Sequence, residues 1–314
     1  MSAAPADRVA QEPEASELRE GQTFAGGSTF VRYANLVKLP HTLFALPFAL
    51  VGVTIASYVT RVTTREVILV AAAFAAARFA AMGFNRIVDR RLDALNPRTA
   101  RREIPSGRIG AAEAGLAVAI ASLVFVVAAW QLNPLCLALS PVALAWIFWY
   151  SYTKRFTRWA HLVLGVGLGI APVGGYLAVA GTWSSPWWVL VMLAAAVMGW
   201  VGGFDIFYAL QDVDFDREHR LYSLPAMLGE RRAIAIARLL HAMTVVALAM
   251  VGAGIGAGAL YWLGVVAVAG LLLYEHSLVR GDDLSRLDAA FFTMNGIISV
   301  TFFGFVLAGR LIGG

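Results

Sequence analysis

The feature of this sequence that most limits its fold is a series of nine long apolar segments. They lie at about 39–60, 67–88, 111–131, 134–151, 160–181, 186–208, 233–253, 256–278 and 287–311. Each is close to the roughly 20 residues that a helix needs to cross the hydrocarbon core of a bilayer. Lipid offers the backbone no hydrogen-bond partners, so spanning segments form helices that satisfy their own polar groups. We therefore predict an all-α, polytopic membrane helical bundle of about nine transmembrane helices around a central cavity.

Composition agrees with a membrane protein and argues against a nucleic-acid partner. Hydrophobic residues make up 59% of the chain and charged residues 14%, whereas soluble domains are about 45–50% apolar and about 25% charged. The net charge of +5 is carried by short loops between apolar segments, which is a pattern of membrane topology. The single cysteine, Cys136, excludes an intrachain disulfide. Residues 1–28 lack the apolar core of a signal peptide and are predicted to form a flexible polar tail before one domain at 29–314.

Basic residues alternate between successive loops. Arginine and lysine cluster after the second, fourth, sixth and eighth apolar segments, whereas the loops after odd-numbered segments carry few. Basic loops are retained on the cytoplasmic side of a membrane. We therefore expect a multi-pass protein of the inner (cytoplasmic) membrane, with its N-terminus and its basic loops in the cytoplasm. The alternation requires an odd number of spans, which supports the count of nine.

An acidic segment follows the second apolar segment. Asn85, Asp89 and Asp93 stand at i, i+4 and i+8, so on a helix they share one face, each about 40° from the last. Oxygen ligands at this spacing suit a hard cation such as Mg²⁺, which takes one or two carboxylates and completes its shell with water and phosphate. Arg86 is expected to lie off this face.

A second acidic segment ends the sixth apolar segment. Asp205, Tyr208, Asp212 and Asp216 follow the helical period and form one polar stripe, while Asp214 faces away. Asp205 lies within or at the edge of the apolar zone, where an ionisable group is a functional candidate. Facing each other at the cytoplasmic ends of two helices, the two segments would bracket a diphosphate bound through two Mg²⁺ ions.

Simpler interpretations exist for most of these residues. The acids could decorate helix ends and pair with nearby arginines, but their recurrence in two segments, each on one helix face, favours a metal site. Lys154, Arg155 and Arg102 follow the positive-inside pattern and need no ligand to explain them. Lys38 could extend its ammonium to the interface, and Asn295 could be an interhelical hydrogen-bonding residue.

Together these motifs resemble the UbiA superfamily of intramembrane aromatic prenyltransferases. That family carries an NDxxDxxxD motif and a second DxxxD, and here Arg86 stands in place of the usual aspartate after the asparagine. Further similarity lies in the loops at 96–107 and 223–225 and in the basic turn at 150–155, and it covers roughly residues 30–310. The segment 38–48 is similar to 4-hydroxybenzoate polyprenyltransferases and to the hydroxynaphthoate enzymes of menaquinone synthesis.

The resemblance implies Mg²⁺-dependent transfer of a polyprenyl group from polyprenyl diphosphate to the ring of an aromatic hydroxy acid, in respiratory quinone biosynthesis. The acid would be 4-hydroxybenzoate or a dihydroxynaphthoate. The residues that the resemblance implies are Asn85, Asp89, Asp93, Asp212 and Asp216 for metal; these four aspartates and Asp205 for catalysis; Arg102, Lys154 and Arg155 for diphosphate; and Lys38, His41, Tyr208 and Asn295 for the aromatic substrate.

Other functions stay open at this stage. Within the superfamily the acceptor could be heme, chlorophyllide or homogentisate. A secondary transporter would place its acids near the membrane midplane on broken helices, whereas these acids cluster beside arginines at helix ends. A CDP-alcohol phosphotransferase would show a compact Asp-Gly…Ala-Arg motif, which the sequence does not contain.

Overall fold

The computed structural model describes residues 24, 26, 28–184, 186–279 and 294–313, and it gives only the backbone of residues 39–44. Apart from three positions, the tail predicted at 1–28 lies outside the described residues. So does the side chain of His41, one of the residues predicted to bind the aromatic substrate. No β-strand occurs in the part of the chain that the structure describes.

The described chain is a succession of helices. Short elements are α1 (Thr29–Leu36), a 3₁₀ turn (Leu210–Asp212), α8 (Val213–Glu218) and α9 (Leu224–Leu228). The long helices are α2 (Leu39–Ala56), α3 (Thr64–Leu95), α4 (Ala111–Leu132), α5 (Pro134–Thr153), α6 (Ala160–Ala180), α7 (Trp188–Ala209), α10 (Glu230–Gly254), α11 (Ala259–Leu278) and α12 (Asn295–Ile312).

These long helices match the predicted membrane spans. Among the described residues, eight helices are long and apolar enough to cross a bilayer, judged by length and composition. Helix α2, whose apolar part Ala45–Ala56 is shorter, corresponds to the first predicted span. The prediction of an all-α, polytopic helical bundle is confirmed.

Helix α7 lies at the centre of the bundle, between α6 and α10. Its Trp200 side chain is fully buried. Helices α6 and α7 approach so closely that a Cβ atom on Gly165 would lie 2.5 Å from the Met198 carbonyl oxygen, and one on Gly169 would lie 2.8 Å from that of Ala194. Small residues allow such backbone contact between membrane helices. This packing fixes the start of α6 against the end of α7, where several polar side chains meet.

The second acidic segment departs from the predicted continuous helix. Helix α7 ends at Ala209, and the chain passes through the 3₁₀ turn before α8 begins at Val213. A 3₁₀ turn has about three residues per turn rather than 3.6, so the α-helical phase assumed for Asp212 and Asp216 is wrong in detail. Both side chains nevertheless border the same cavity as Asp205.

Candidate active site

Two adjoining cavities lie inside the bundle. The polar cavity, of about 260 Å³, is bordered by α3, the loop after it, the end of α5, the start of α6 and the α7–α8 segment. The apolar cavity, of about 610 Å³, is enclosed mainly by α3, α4, α5, α6 and α7. The residues common to both walls are Arg78, Met82, Tyr150, Leu164 and Leu168. A ligand with a charged head and an apolar tail would fit across this junction.

Asp89 is the centre of the α3 side of the polar cavity. Asp89 is 3% exposed, and its carboxylate accepts hydrogen bonds from Lys154 Nζ at 2.5 Å and from Arg155 Nη2 at 2.9 Å. Asn85 Nδ2 donates to the same carboxylate at 3.2 Å. Lys154 borders the cavity, but Arg155 does not. Arg155 also donates to the Ser151 carbonyl, so it contacts Asp89 from outside the cavity wall.

Asp93 lies about one turn farther along α3 than Asp89 and contacts two arginines. Arg102 Nη1 donates to Asp93 Oδ1 at 2.8 Å, and Arg86 Nη1 lies 3.9 Å from Oδ2. The expectation that Arg86 lies off the ligand face is wrong, because residues seven apart on an α-helix are only about 20° out of phase. Arg86 is buried on the cavity wall. Asp93 Oδ2 is buried and has no hydrogen-bond partner among the described residues.

The loop after α3 holds Asp212 on the opposite side of the cavity. The Arg98 guanidinium donates to both carboxylate oxygens of Asp212, with the Nε–Oδ1 distance 3.0 Å, and Asn96 Nδ2 adds a bond of 2.9 Å. Arg98 Nη1 also donates to the Tyr208 hydroxyl at 2.6 Å. Burial alone would lower the pKa of Arg98, but Tyr208 and Asp212 outweigh it and hold that pKa above its ordinary value.

Asp205 and Asp216 complete the acidic side chains of the polar cavity. Asp205 Oδ2 is 2.6 Å from His161 Nδ1. Asp214 points away, as predicted, and its fully exposed carboxylate lies 3.8 Å from Arg217. All five aspartates assigned to catalysis thus border one cavity, although they come from two distant segments of the chain.

These findings agree with relatives of known name. The UbiA prenyltransferase family matches residues 45–297. This chain belongs to the UbiA prenyltransferase family. The UbiA chain is 31% identical over 274 residues to the 4-hydroxybenzoate octaprenyltransferase of Tolumonas auensis, covering 87% of this chain and 92% of that protein. It is 30% identical over 231 residues to the same-named enzyme of Sodalis glossinidius, covering 74% and 78% respectively.

Solved structures share the fold of this UbiA protein. The apo structure of a UbiA homolog from Aeropyrum pernix K1 has a TM-score of 0.77 at 33% identity, covering 87% of this chain and 98% of that one. A UbiA homolog from Archaeoglobus fulgidus bound to GPP and Mg²⁺ has a TM-score of 0.68 at 20% identity, covering 89% and 99%. The resemblance drawn from the motifs is confirmed, and the chain is a multi-pass membrane prenyltransferase.

The residues predicted to bind the aromatic substrate do not all meet in this UbiA cavity. Tyr208 and Lys38 both border it, and Lys38 Nζ donates to the Tyr208 hydroxyl at 3.3 Å. Burial lowers the pKa of Lys38, an effect that Tyr208 partly offsets. Asn295 is instead fully buried between α11 and α12, where its Nδ2 lies 3.4 Å from Glu275 Oε1. Its placement therefore matches an interhelical contact and not the wall of the polar cavity.

Arg98 and Arg78 are site residues that motif spacing did not identify. Arg98 belongs to the loop that resembled the family, but its bond to Asp212 joins positions 114 apart in the chain, which spacing along one helix cannot reveal. Arg78 lies on α3 two turns before Asn85, inside an apolar segment. It borders both cavities, and no hydrogen bond or ion pair to it occurs within the described residues. A single arginine inside an apolar segment is the sequence feature that could have identified Arg78 as a candidate functional residue.

The acid side chains of the polar cavity fit Mg²⁺ bound together with a diphosphate. Among the described residues, no three His, Cys, Asp or Glu side chains converge closely enough to hold a metal by themselves. Mg²⁺ does not need such a cage, since it usually binds one or two carboxylates and fills its shell with phosphate oxygens and water. One oxygen of Asp93 accepts no hydrogen bond from the described residues, and the acids on both sides of the cavity supply only oxygen ligands.

Proposed function

We propose that this protein transfers a polyprenyl group from polyprenyl diphosphate to the ring of an aromatic hydroxy acid, with Mg²⁺ as cofactor. The names of its relatives support 4-hydroxybenzoate as the acid, and a dihydroxynaphthoate is the alternative. The positions of the basic loops support an inner-membrane enzyme whose polar cavity faces the cytoplasm. Residues 29–314 would act as one prenyltransferase domain.

One observation carries this proposal: the polar cavity and the apolar cavity share a wall. A polyprenyl diphosphate has a trianionic head and a long hydrocarbon tail. The head suits a cavity bordered by Lys154, Arg102 and Arg86, and the tail suits a neighbouring space of about 610 Å³ with apolar walls. Each buried CH₂ contributes about 0.8 kcal/mol to binding. The carbon that reacts would therefore lie at the junction.

The cations divide into two groups by what they touch. Lys154 and Arg102 border the polar cavity while holding Asp89 and Asp93, so each can also donate to diphosphate oxygens as negative charge develops there. Arg155 lies behind Asp89 and orients it. When bound, Mg²⁺ would supply Lewis-acid stabilisation of the leaving diphosphate. The residues that would hold it are Asn85, Asp89, Asp93, Asp212 and Asp216.

The aromatic acid needs a cation for its carboxylate. Arg78 is well placed, because it borders both cavities and its Nε is buried without a hydrogen-bond partner in the described chain. A planar guanidinium binds a carboxylate through two parallel hydrogen bonds. Such a pair would set the ring between the polar and the apolar cavity, next to the reacting prenyl carbon. The apolar walls would exclude water from the allylic cation.

The test is an assay of the purified protein in lipid nanodiscs, with a polyprenyl diphosphate and either 4-hydroxybenzoate or a dihydroxynaphthoate. We expect a prenylated acid of the predicted mass and stoichiometric diphosphate, both abolished by EDTA and restored by Mg²⁺. Product with only one acid identifies the acceptor. No prenylated product from either acid would contradict the proposal, and substrate counterflow in proteoliposomes without chemistry would instead indicate a transporter.

A further inference from the structure

A histidine–aspartate pair lies on the wall of the polar cavity and has no part in holding metal or diphosphate as described above. Asp205 is on α7, seven residues before Asp212 and hence about 10 Å deeper in the bundle. His161, in the first turn of α6, is 4% exposed. Its Nδ1 lies 2.6 Å from Asp205 Oδ2, which is one of the shortest contacts at this site.

The neighbours of His161 fix its protonation. The backbone N–H of Leu224, at the start of α9, donates to His161 Nε2 at 3.3 Å. A ring nitrogen that accepts a hydrogen bond carries no proton, so the proton of the neutral imidazole is on Nδ1 and is donated to Asp205. A doubly protonated ring would set two N–H groups against each other at Nε2. Asp205 is therefore a carboxylate held by a neutral donor.

This environment distinguishes Asp205 from the other acids of the cavity. Asp89, Asp93 and Asp212 each contact at least one lysine or arginine, so carboxylate oxygens of these three acids are already occupied by ion pairs. Asp205 forms no ion pair with lysine or arginine within the described residues. Asp216 shares this property, but it lies on α8, beyond Asp212, among the predicted metal ligands.

Asp205 is also close to the junction of the two cavities. Tyr150, which borders both of them, interacts electrostatically with Asp205. Leu164 and Leu168, which also border both cavities, follow His161 on the same helix. The junction is where the proposed function places the reacting prenyl carbon and the aromatic ring, so Asp205 would face the ring and not the diphosphate.

We infer that Asp205 accepts the proton that the aromatic ring loses, and that His161 is the residue that positions it. This inference rests on the proposed function. The prenyl C–O bond breaks and its electron pair leaves with diphosphate. The ring carbon ortho to the phenolic hydroxyl supplies the pair for the new C–C bond, which leaves the ring cationic. Transfer of the C–H proton to Asp205 returns a pair to the ring and restores aromaticity, and Asp205 later releases the proton to water.

The experiment compares the acceptor with the same acid deuterated at its ortho positions. In Asp205→Asn we expect kcat to fall by about 10²- to 10³-fold, as for loss of a general base, with the KM for prenyl diphosphate unchanged. A primary isotope effect larger than that of the unmodified enzyme should appear, because proton removal becomes slower than C–O cleavage. Asp214→Asn, which alters an exposed aspartate of the same segment, is the matched control.

Two substitutions of His161 test its positioning role. His161→Leu keeps the volume but loses both hydrogen bonds, and we expect kcat to fall about tenfold or more with the isotope effect raised. His161→Gln can donate to Asp205 and accept from Leu224, so it should recover most of the activity. Equal activity of the Leu and Gln variants would overturn the role of His161.

The outcomes separate this inference from the proposed function. Binding of an unreactive prenyl thiolodiphosphate with Mg²⁺ shows which variants are folded. If Asp205→Asn does not bind it, the two His161 variants provide the test instead. Isotope effects that stay at the unmodified value in an active enzyme would overturn the assignment of Asp205 alone. If the unmodified enzyme prenylates neither acid, both proposals are overturned.

Discussion

The polar and the apolar cavity are built in different ways. The polar cavity is shaped by charged contacts between segments far apart in the chain, such as Lys154 with Asp89 and Arg98 with Asp212. The apolar cavity is bordered by small residues such as Gly167, Gly169 and Gly174, which have no side chain to fill the space between the helices. In the first, single substitutions should change chemistry; in the second, they should change only which tail fits.

The largest effect is expected in the polar cavity, at Asp89. Asp89→Asn removes a buried carboxylate and leaves Lys154 and Arg155 without their partner. We expect kcat/KM to fall roughly 10³-fold, since several kcal/mol of charge stabilisation would be lost. The measurement is prenyl transfer as a function of Mg²⁺ concentration, with thermal unfolding in detergent as the check on folding. Asp214→Asn is the control, and more than half of the normal activity in Asp89→Asn would remove Asp89 from the site.

Arg98 tests whether a cation that contacts Asp212 and Tyr208 also matters for the reaction. Arg98→Gln breaks the paired hydrogen bonds to Asp212 and the bond to Tyr208. Hydrogen bonds to charged groups contribute about 1.5–3 kcal/mol each, so we expect a loss of about 10²-fold and a higher Mg²⁺ concentration at half-maximal rate. Arg91→Gln, at an exposed position of α3, is the control. An unchanged Mg²⁺ requirement would mean that Asp212 does not contribute to the metal site.

Many residues of the polar cavity could be predicted from the sequence, because their spacing along a helix shows that they share one face. Asn85, Asp89 and Asp93 share a face whatever the rest of the fold, so the sequence alone predicted the α3 side. Asp212 was assigned correctly to the cavity, but the 3₁₀ turn that carries it depends on contacts from the loop after α3. The prediction for Arg86 was wrong, because Arg86 is seven residues before Asp93 and therefore lies close to it in helical phase.

The apolar cavity was not predictable in the same way. Most residues of a membrane helix are apolar on every face, so composition cannot distinguish a side chain that faces lipid from one that faces a cavity. In the structure, Gly165 and Gly169 permit close packing of α6 against α7. Asn295 illustrates the same difficulty for a polar residue. From the sequence alone, it could contact the substrate or a neighbouring helix, and only the position of Glu275 in the structure distinguishes the two.

At the junction of the cavities, Arg78 and Lys38 can be compared directly. If Arg78 binds the carboxylate, Arg78→Met should raise the KM for the aromatic acid roughly tenfold or more, the loss of about one charged hydrogen bond. The KM for prenyl diphosphate should stay the same, and Lys38→Met should change the KM for the acid by a smaller factor. Steady-state kinetics with each substrate varied in turn provides the measurement. A selective effect of Lys38→Met alone would assign the carboxylate to Lys38.

The smallest effect on chemistry is expected inside the apolar cavity, at Gly174. A Cβ atom on Gly174 would have no heavy atom within 4 Å, and this residue borders the cavity, so Gly174→Phe should place a ring where the tail lies. We expect the rate with a short prenyl diphosphate to stay within about twofold, since the polar cavity and its charges are untouched. The rate with a long prenyl diphosphate should fall steeply, because the ring takes space that the distal isoprene units need.

Gly270→Phe is the control, since Gly270 also has open space around it but does not border the cavity. Competition between prenyl diphosphates of different length in one reaction measures the shift, and an unchanged product distribution would show that the tail binds elsewhere.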